Sequence, residues 1–288
     1  METQAPFMQT VRFNKGRKRV AFTMLDSTNW YKMKLGDLGA AGVEKLEMPA
    51  ETEPDEVWWP YVEADVAVMR EAVLSIRREL DAISPTIPIG ITAPATGMNV
   101  FTHAFLQPGA IALHNKKSVL DRESQAYFGG VTECYWQGVG PTGQRIYKVD
   151  INSQYPSVMR GVMPVEYLLT ITNPTHSEIE RYLNDVDCLV LAQYRYHSSR
   201  DRVAVRHLDE DQTHRTLFPT VTQGGVDTVQ WEPTFSNAWQ AGEVDEVYTL
   251  DVYRAEPVMR EFVDHFYAKK NEAKKEGRKD QSGCSSCC

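Results

Sequence analysis

Apolar and polar positions over residues 11–26 follow the pattern of a β-hairpin: Val11-Arg-Phe13 and Arg19-Val-Ala-Phe-Thr-Met-Leu25 flank a turn at Asn14-Lys-Gly16. Asp26 and Ser27 end the second strand and offer caps to the next element. Trp30, Leu35, Leu38, Val43 and Leu46 then recur at roughly helical spacing, interrupted by glycines, and the acidic, proline-bearing stretch 49–56 predicts a loop. From Trp59 to Ser84 the period is clearly helical. Tyr61, Val62, Asp65, Val68, Met69, Val73, Leu74, Ile76 and Leu80 follow an i, i+3, i+4 rhythm, with Pro60 expected in the first turn and Pro85 as the stop. Pro88, Gly90, Pro94 and Gly97 form a connector, and residues 98–115 read as helix and loop.

Over residues 126–156 the period changes to short aromatic runs punctuated by Gly129-Gly130, Gly138, Gly140 and Pro141-Thr-Gly143, which predicts strands and turns. Ser177 ahead of Glu178 and Glu180 predicts a capped helix at 178–187, and Cys188 to Tyr194 a buried strand. Residues 197–216 are polar and are expected as an exposed excursion. Leu217 to Tyr253 holds short strands, with Gly224-Gly225 as a hairpin turn and Phe235 to Ala241 as a small helix. Pro257 opens a last helix whose apolar face is Val258, Phe262, Val263 and Phe266, followed by the charged run Lys269 to Lys279.

The composition, 42% hydrophobic and 24% charged, suffices for a globular core, and the length suggests two domains or one with pieces of another. A net charge of -8 argues against nucleic-acid binding by bulk charge, though not by a local patch. The five cysteines (134, 188, 284, 287, 288) make no disulfide framework, which suits a reducing cytoplasm. Cys284-x-x-Cys287-Cys288 has zinc-knuckle spacing but no second pair nearby. No apolar run reaches membrane-spanning length, and Met1 to Pro6 carries no apolar signal region, so no membrane partner is expected.

Three groupings bear on chemistry. Ile146-Tyr-Lys-Val149 is a β-prone run that delivers Asp150, and Asn152-Ser153 then breaks it before Pro156 opens a helix. A carboxylate at a strand end, followed by free backbone N–H groups, suits a divalent cation with a triphosphate; a plain strand, Asx turn and helix start would look the same. Tyr61 and Asp65 share one helix face, as a metal-and-water pair or as a polar notch on a packed helix. Lys45 precedes them as a phosphate-stabilising cation or a surface lysine. In Tyr127-Phe128-Gly129-Gly130 the glycines permit close approach of a backbone and the tyrosine offers a stacking face; the same four residues also suit a turn.

These residues carry a resemblance. Asp150-Ile-Asn-Ser-Gln-Tyr155-Pro156 resembles motif A of family B DNA polymerases, Asp-x-x-Ser-Leu-Tyr-Pro, with Gln154 in place of Leu. Tyr127-Phe-Gly129-Gly130 is similar to the Tyr-x-Gly-Gly element of the protein-primed branch found in phages and linear plasmids, with Phe128 where Arg is frequent. Tyr61-Val-Glu-Ala-Asp65 and Lys45-Leu-Glu-Met48 resemble two motifs of its proofreading exonuclease. The resemblance runs from about residue 11 to residue 279.

It implies roles for each position. Asp150 binds catalytic Mg²⁺ or Mn²⁺; Ile151, Asn152, Ser153 and Tyr155 meet the incoming dNTP, with Tyr155 as the gate against a ribose 2′-hydroxyl. Tyr127, Gly129 and Gly130 contact template DNA, while Asp65, a second metal ligand, works with Tyr61 and Lys45 in hydrolysis. The lysines and arginine among residues 269–279 face either phosphates or solvent.

The expected fold class is mixed α/β. Residues 1–97 are a partial RNase H-like exonuclease domain, 98–135 a linker with the Tyr-x-Gly-Gly element, and 136–165 the first palm segment; 166–256 are an inserted subdomain and 257–288 a fingers-proximal helix with its tail. The first two exonuclease motifs, Asp-x-Glu and an Asn-to-Asp element, are expected ahead of the hairpin and are not among the residues that precede it; the fingers motif Asn-Ser-x-Tyr-Gly and the palm motif Asp-Thr-Asp do not occur in the sequence. The expected function is DNA-directed DNA polymerisation in protein-primed replication, inactive in this chain alone. Its partners are primer-template DNA, dNTPs, a terminal protein and a second chain carrying the missing motifs. The alternative is a non-catalytic DNA-binding or assembly subunit of a split polymerase.

Overall fold

The computed structural model describes residues 8–15, 18–31, 34–38, 45–129, 137–138, 140, 143, 145–151, 153–199, 203–208, 214–217 and 221–275. In chain order the elements are β1 (Met8–Lys15), β2 (Lys18–Leu25), α1 (Asp55–Ile83), α2 (Ala93–Val100), α3 (Lys117–Gln125), α4 (Gln154–Met159), β3 (Met163–Thr172), α5 (His176–Leu183), β4 (Cys188–Ser198), β5 (Val205–Leu208), β6 (His214–Leu217), β7 (Val221–Trp231), α6 (Glu232–Gln240), β8 (Val244–Glu256) and α7 (Arg260–Lys275). The expected mixed α/β class holds. The chain divides into two compact units, residues 1–107 with 259–288, and residues 108–258.

In the first unit β1 and β2 form the predicted hairpin, antiparallel from Met8↔Leu25 to Lys15↔Lys18. β1 starts three residues before Val11 and takes in Asn14 and Lys15, which the sequence pattern places in the turn, while Gly16 lies outside the described residues. α1 begins at Asp55, four residues before the predicted start, with Asp55 and Glu56 in its first turn, where carboxylates favour the helix dipole. Pro60 therefore stands in the second turn and not the first, within the helix. Of the predicted helical spacing over residues 30–48, the described residues show the 3-10 turn Leu35–Leu38; Gly39, Gly42 and Val43 lie outside them. Leu38 packs with Val68 and Ala72 of α1, beside Tyr31 and Leu35. Tyr31 donates to Ala72 O at 2.8 Å and Trp30 Nε1 to Gly90 O at 2.8 Å. Gly90 is forced by space: a Cβ there would meet the backbone of Ala95 and Thr96 at 2.6 Å.

Phe101, Phe105, Phe262 and Phe266 form the aromatic end of this unit, with His265 against Phe105 at 5.4 Å and Phe266 at 5.2 Å between ring centroids. Burial, helped by the nearby Lys269 charge, pushes the His265 pKa below its ordinary 6.5, so the folded protein favours the neutral ring. The stability this confers is fully present above pH 6.5. It falls as pH drops through the folded-state value, because the unfolded chain takes the proton first. Thermal melting should therefore lose more stability between about pH 7.5 and about pH 5 in the wild type than in His265→Gln; equal losses would refute it.

In the second unit the sheet order is β3-β8-β4-β7, all antiparallel. β4 alternates between two buried faces. Val190, Ala192, Tyr194 and Tyr196 pack with Ile179 of α5 and Phe235 and Ala238 of α6. Leu191 faces the other way, onto Val119 and Ala126 beside Val229 and Tyr253. The result is a layer of α5 and α6, the sheet, and a layer holding α3.

Several local expectations are corrected by the fold. α5 is capped by Thr175 and Glu178 in a reciprocal capping box, two residues before the predicted Ser177 cap. The segment 197–216 is not a uniformly exposed excursion: Val203, Ala204 and Val205 are buried, and Ala204 O accepts from Thr228 Oγ1 at 3.2 Å and Gln230 Nε2 at 2.6 Å. Gly224 and Gly225 do not turn a hairpin. They sit inside β7 with φ of 76° and 62°, where the register moves from Tyr196↔Val226 to Ser198↔Val221. The extra residues of β7 bulge out of the ladder, which needs left-handed backbone that glycine adopts without strain.

Candidate functional site

Residues 145–151 belong to no strand, against the expected palm strand. A strand exists only through a neighbour's hydrogen bonds, and none of the described strands pairs with this run. Its side chains face solvent: Ile146 is 85% and Val149 89% exposed. Asp150 is likewise exposed. Asn152 lies outside the described residues. Ser153 adopts the left-handed conformation, φ 56° and ψ 41°, and starts α4. Non-glycine residues enter that region only under constraint. Ser157 N and Arg160 N donate to Ser153 O and Pro156 O, while the first N–H groups of α4 have no intrahelical acceptor. Tyr155 projects from this turn, 77% exposed.

In the first unit Lys45, Tyr61 and Asp65 come together. Lys45 Nζ donates to Tyr61 Oη at 3.1 Å and to Asp65 Oδ2 at 3.3 Å, and stands 5.1 Å from the Tyr61 ring centre. Trp58 braces Tyr61 edge-on, with ring centroids 5.9 Å apart. The Tyr61 hydrogen bond, followed by the Asp65 carboxylate, holds the Lys45 ammonium above its ordinary pKa. Asp65 Oδ1 is buried without a hydrogen-bond partner. An orphaned carboxylate oxygen beside an ammonium leaves one acceptor for a cation or a polarised water.

In the second unit Tyr127 is 77% exposed just beyond α3, followed by Phe128 and Gly129; Gly130 lies outside the described residues. α3 is pinned by adjacent side chains. Arg122 makes a two-pronged pair with Asp251 of β8, Nε to Oδ2 and Nη2 to Oδ1, each at 2.6 Å, and Thr170 Oγ1 donates to the same carboxylate. Asp251 is fully buried. Glu123 accepts from Tyr253 Oη at 2.7 Å and meets His114 Nε2 at 3.0 Å. Burial, then the Glu123 carboxylate, drives the Tyr253 pKa far up, so its hydroxyl stays a donor. Sequence reasoning missed this network. The signal for it was Asp251, a carboxylate standing between Leu250 and Val252 in an apolar strand.

As a set, these residues do not make a metal centre: among the described residues no three His, Cys, Asp or Glu side chains converge. Asp65 offers one orphaned oxygen and Asp150 one exposed carboxylate. Among the described residues no helix is long and apolar enough to cross a membrane.

Residues 45–282 match the family model of DNA polymerase type B, organellar and viral. A search of curated proteins finds no match. Among solved structures the chain is similar to phi29 DNA polymerase complexed with primer-template DNA and incoming nucleotide substrates, at TM-score 0.67 and 13% identity over 98% of this chain and 50% of that one. It is also similar to the orthorhombic form (TM-score 0.61, 14% identity, 98% and 50% covered) and to the complex with single-stranded DNA (0.61, 14%, 98% and 49%). At such identities the likeness shows fold alone, and the chain spans about half the length of these polymerases. The family match covers most of the chain and includes the stretch from Asp150 to Pro156, so the chain belongs to the DNA polymerase type B family of organellar and viral enzymes.

Proposed function

We propose that this chain is part of a DNA-directed DNA polymerase of the protein-primed kind. The observation that carries this is the turn at Ser153, which lies within the family match and exposes Asp150 and Tyr155 on either side of a left-handed residue. Asp150 would hold one edge of a Mg²⁺ or Mn²⁺ ion, which when bound neutralises triphosphate charge. Backbone N–H groups from Ile151 to Ser153 would donate to phosphate oxygens, and Tyr155 closes the space where a 2′-hydroxyl would sit. Tyr127, Gly129 and Gly130 track the template strand. In the first unit Asp65, Tyr61 and Lys45 supply a proofreading half-site: Asp65 Oδ1 offers an acceptor, and the Lys45 ammonium lies close enough to offset phosphate charge.

On this reading residues 1–97 are part of an exonuclease domain, 98–135 a linker, 136–165 palm, 166–256 an insertion that meets a terminal protein, and 257–288 the approach to the fingers. The setting is the cytoplasm of the host. The fingers motif and the second palm carboxylates are not in this sequence, so activity requires a polypeptide carrying them. Because no metal-ligating cluster is complete among the described residues, a second reading is a DNA-binding or assembly subunit. Metal-dependent dNTP binding separates the two, since an assembly subunit needs DNA alone.

Primer extension by this chain, mixed with a polypeptide bearing Asn-Ser-x-Tyr-Gly and Asp-Thr-Asp, tests the proposal. Tyr155→Val should raise ribonucleotide incorporation relative to deoxyribonucleotide by roughly tenfold or more, since removing a steric clash is worth at least one such step. Unchanged sugar selectivity in an active mixture would remove Tyr155 from the site.

A further inference from the structure

A cavity of about 150 Å³ lies beside the Tyr-x-Gly-Gly element within the second unit, lined among the described residues by Gln125, Phe128, Gln193, Asp227, Thr228 and Val229. Its walls are held from behind. Arg122 and Glu123 fix α3, at whose end Gln125 stands. Gln193 pairs with Val229 across the β4–β7 ladder, and Val229 is buried. Asp227 accepts from Arg195 Nε at 3.1 Å and Tyr248 Oη at 2.9 Å. The Gln125 and Gln193 amides, by contrast, hydrogen-bond no other described side chain. One aromatic ring, two uncommitted amides and an apolar floor therefore meet in a space suited to one planar heterocycle.

We propose that this cavity receives one unpaired nucleobase of single-stranded DNA, stacked on Phe128 and hydrogen-bonded along its edge by Gln125 and Gln193. Amides serve as donor and acceptor and so adapt to any base edge, and an aromatic face stacks with every base. The carboxylate of Asp227, held ionised chiefly by its Arg195 hydrogen bond, repels a phosphate and accepts from an exocyclic amine, which selects the base over the backbone. The proposal rests on the reading of Tyr127 and Gly129 as template contacts: the backbone passes over them and the base turns in.

The test uses the full chain and two fluorescent oligonucleotides of about 12 nucleotides, one of deoxycytidine and one fully abasic. The wild type should bind the base-bearing strand roughly tenfold more tightly, the worth of one stacked base. Gln193→Ala and Phe128→Leu should each bring that ratio near one while leaving abasic affinity unchanged, and Gln193→Ala should also leave the melting temperature unchanged. A ratio that persists in both variants overturns the pocket and leaves the template reading standing. Failure of both strands to bind overturns both. Occupation of the cavity by a lysine- and arginine-containing peptide, lost in Gln193→Ala, would overturn the nucleobase in favour of a basic side chain.

Discussion

Replacing Asp150 by Asn should abolish nucleotide incorporation in a reconstituted polymerase, by about a thousandfold or more. Asparagine keeps the shape of the side chain and removes its charge. A catalytic metal contributes several kcal/mol of charge stabilisation, and each 1.36 kcal/mol is a factor of ten in rate. The substitution is a clean probe because Asp150 is exposed and contributes no packing; folding stability should stay within about 0.5 kcal/mol. Steady-state extension and a urea melt on the same preparation separate chemistry from folding. Activity within tenfold of wild type would place the metal elsewhere and strip the Asp150 to Pro156 stretch of its assigned role.

The second large effect is on stability. Asp251→Ala, or Arg122→Met, should cost about 3–5 kcal/mol, because each leaves its partner's charge buried alone. Asp251 is fully buried and its two oxygens receive Arg122 in a fork, with Thr170 as a third donor. The double change Arg122→Met with Asp251→Leu should recover most of that loss, since an apolar pair of similar volume avoids desolvating two ions. Urea unfolding of the two single variants and the double variant completes the cycle. Single changes costing less than about 1 kcal/mol would mean that water reaches the pair.

The two outcomes bear on how far a sequence carries its own structure. α1 is legible because Tyr61, Val68, Leu80 and their neighbours repeat at one period over many turns, and β1 with β2 because both strands lie next to each other in the chain. Local pattern fails where the answer depends on a distant partner. Ile146 to Val149 has the composition of a strand and no neighbour to pair with among the described strands. Gly224-Gly225 looks like a turn, but the long partner β4 absorbs it as a bulge. At the candidate site, Tyr61 and Asp65 are readable as one helix face. Lys45 joins them only through tertiary folding, with its ammonium 3.3 Å from Asp65. The Arg122–Asp251 pair spans residues far apart in the chain, and periodicity does not register such a distance.

The unpaired run at 145–151 has a practical side. Ile146, Tyr147, Val149 and Ile151 expose 85%, 74%, 89% and 65% of their surface on a backbone with open donors and acceptors. Such a run is a template for another chain's strand, and identical copies are the nearest supply. The purified chain should therefore lose colloidal stability as it is concentrated, through stacking at this segment. A single lysine in place of Val149 would act as a gatekeeper, keeping the protein dispersed without touching either packed core.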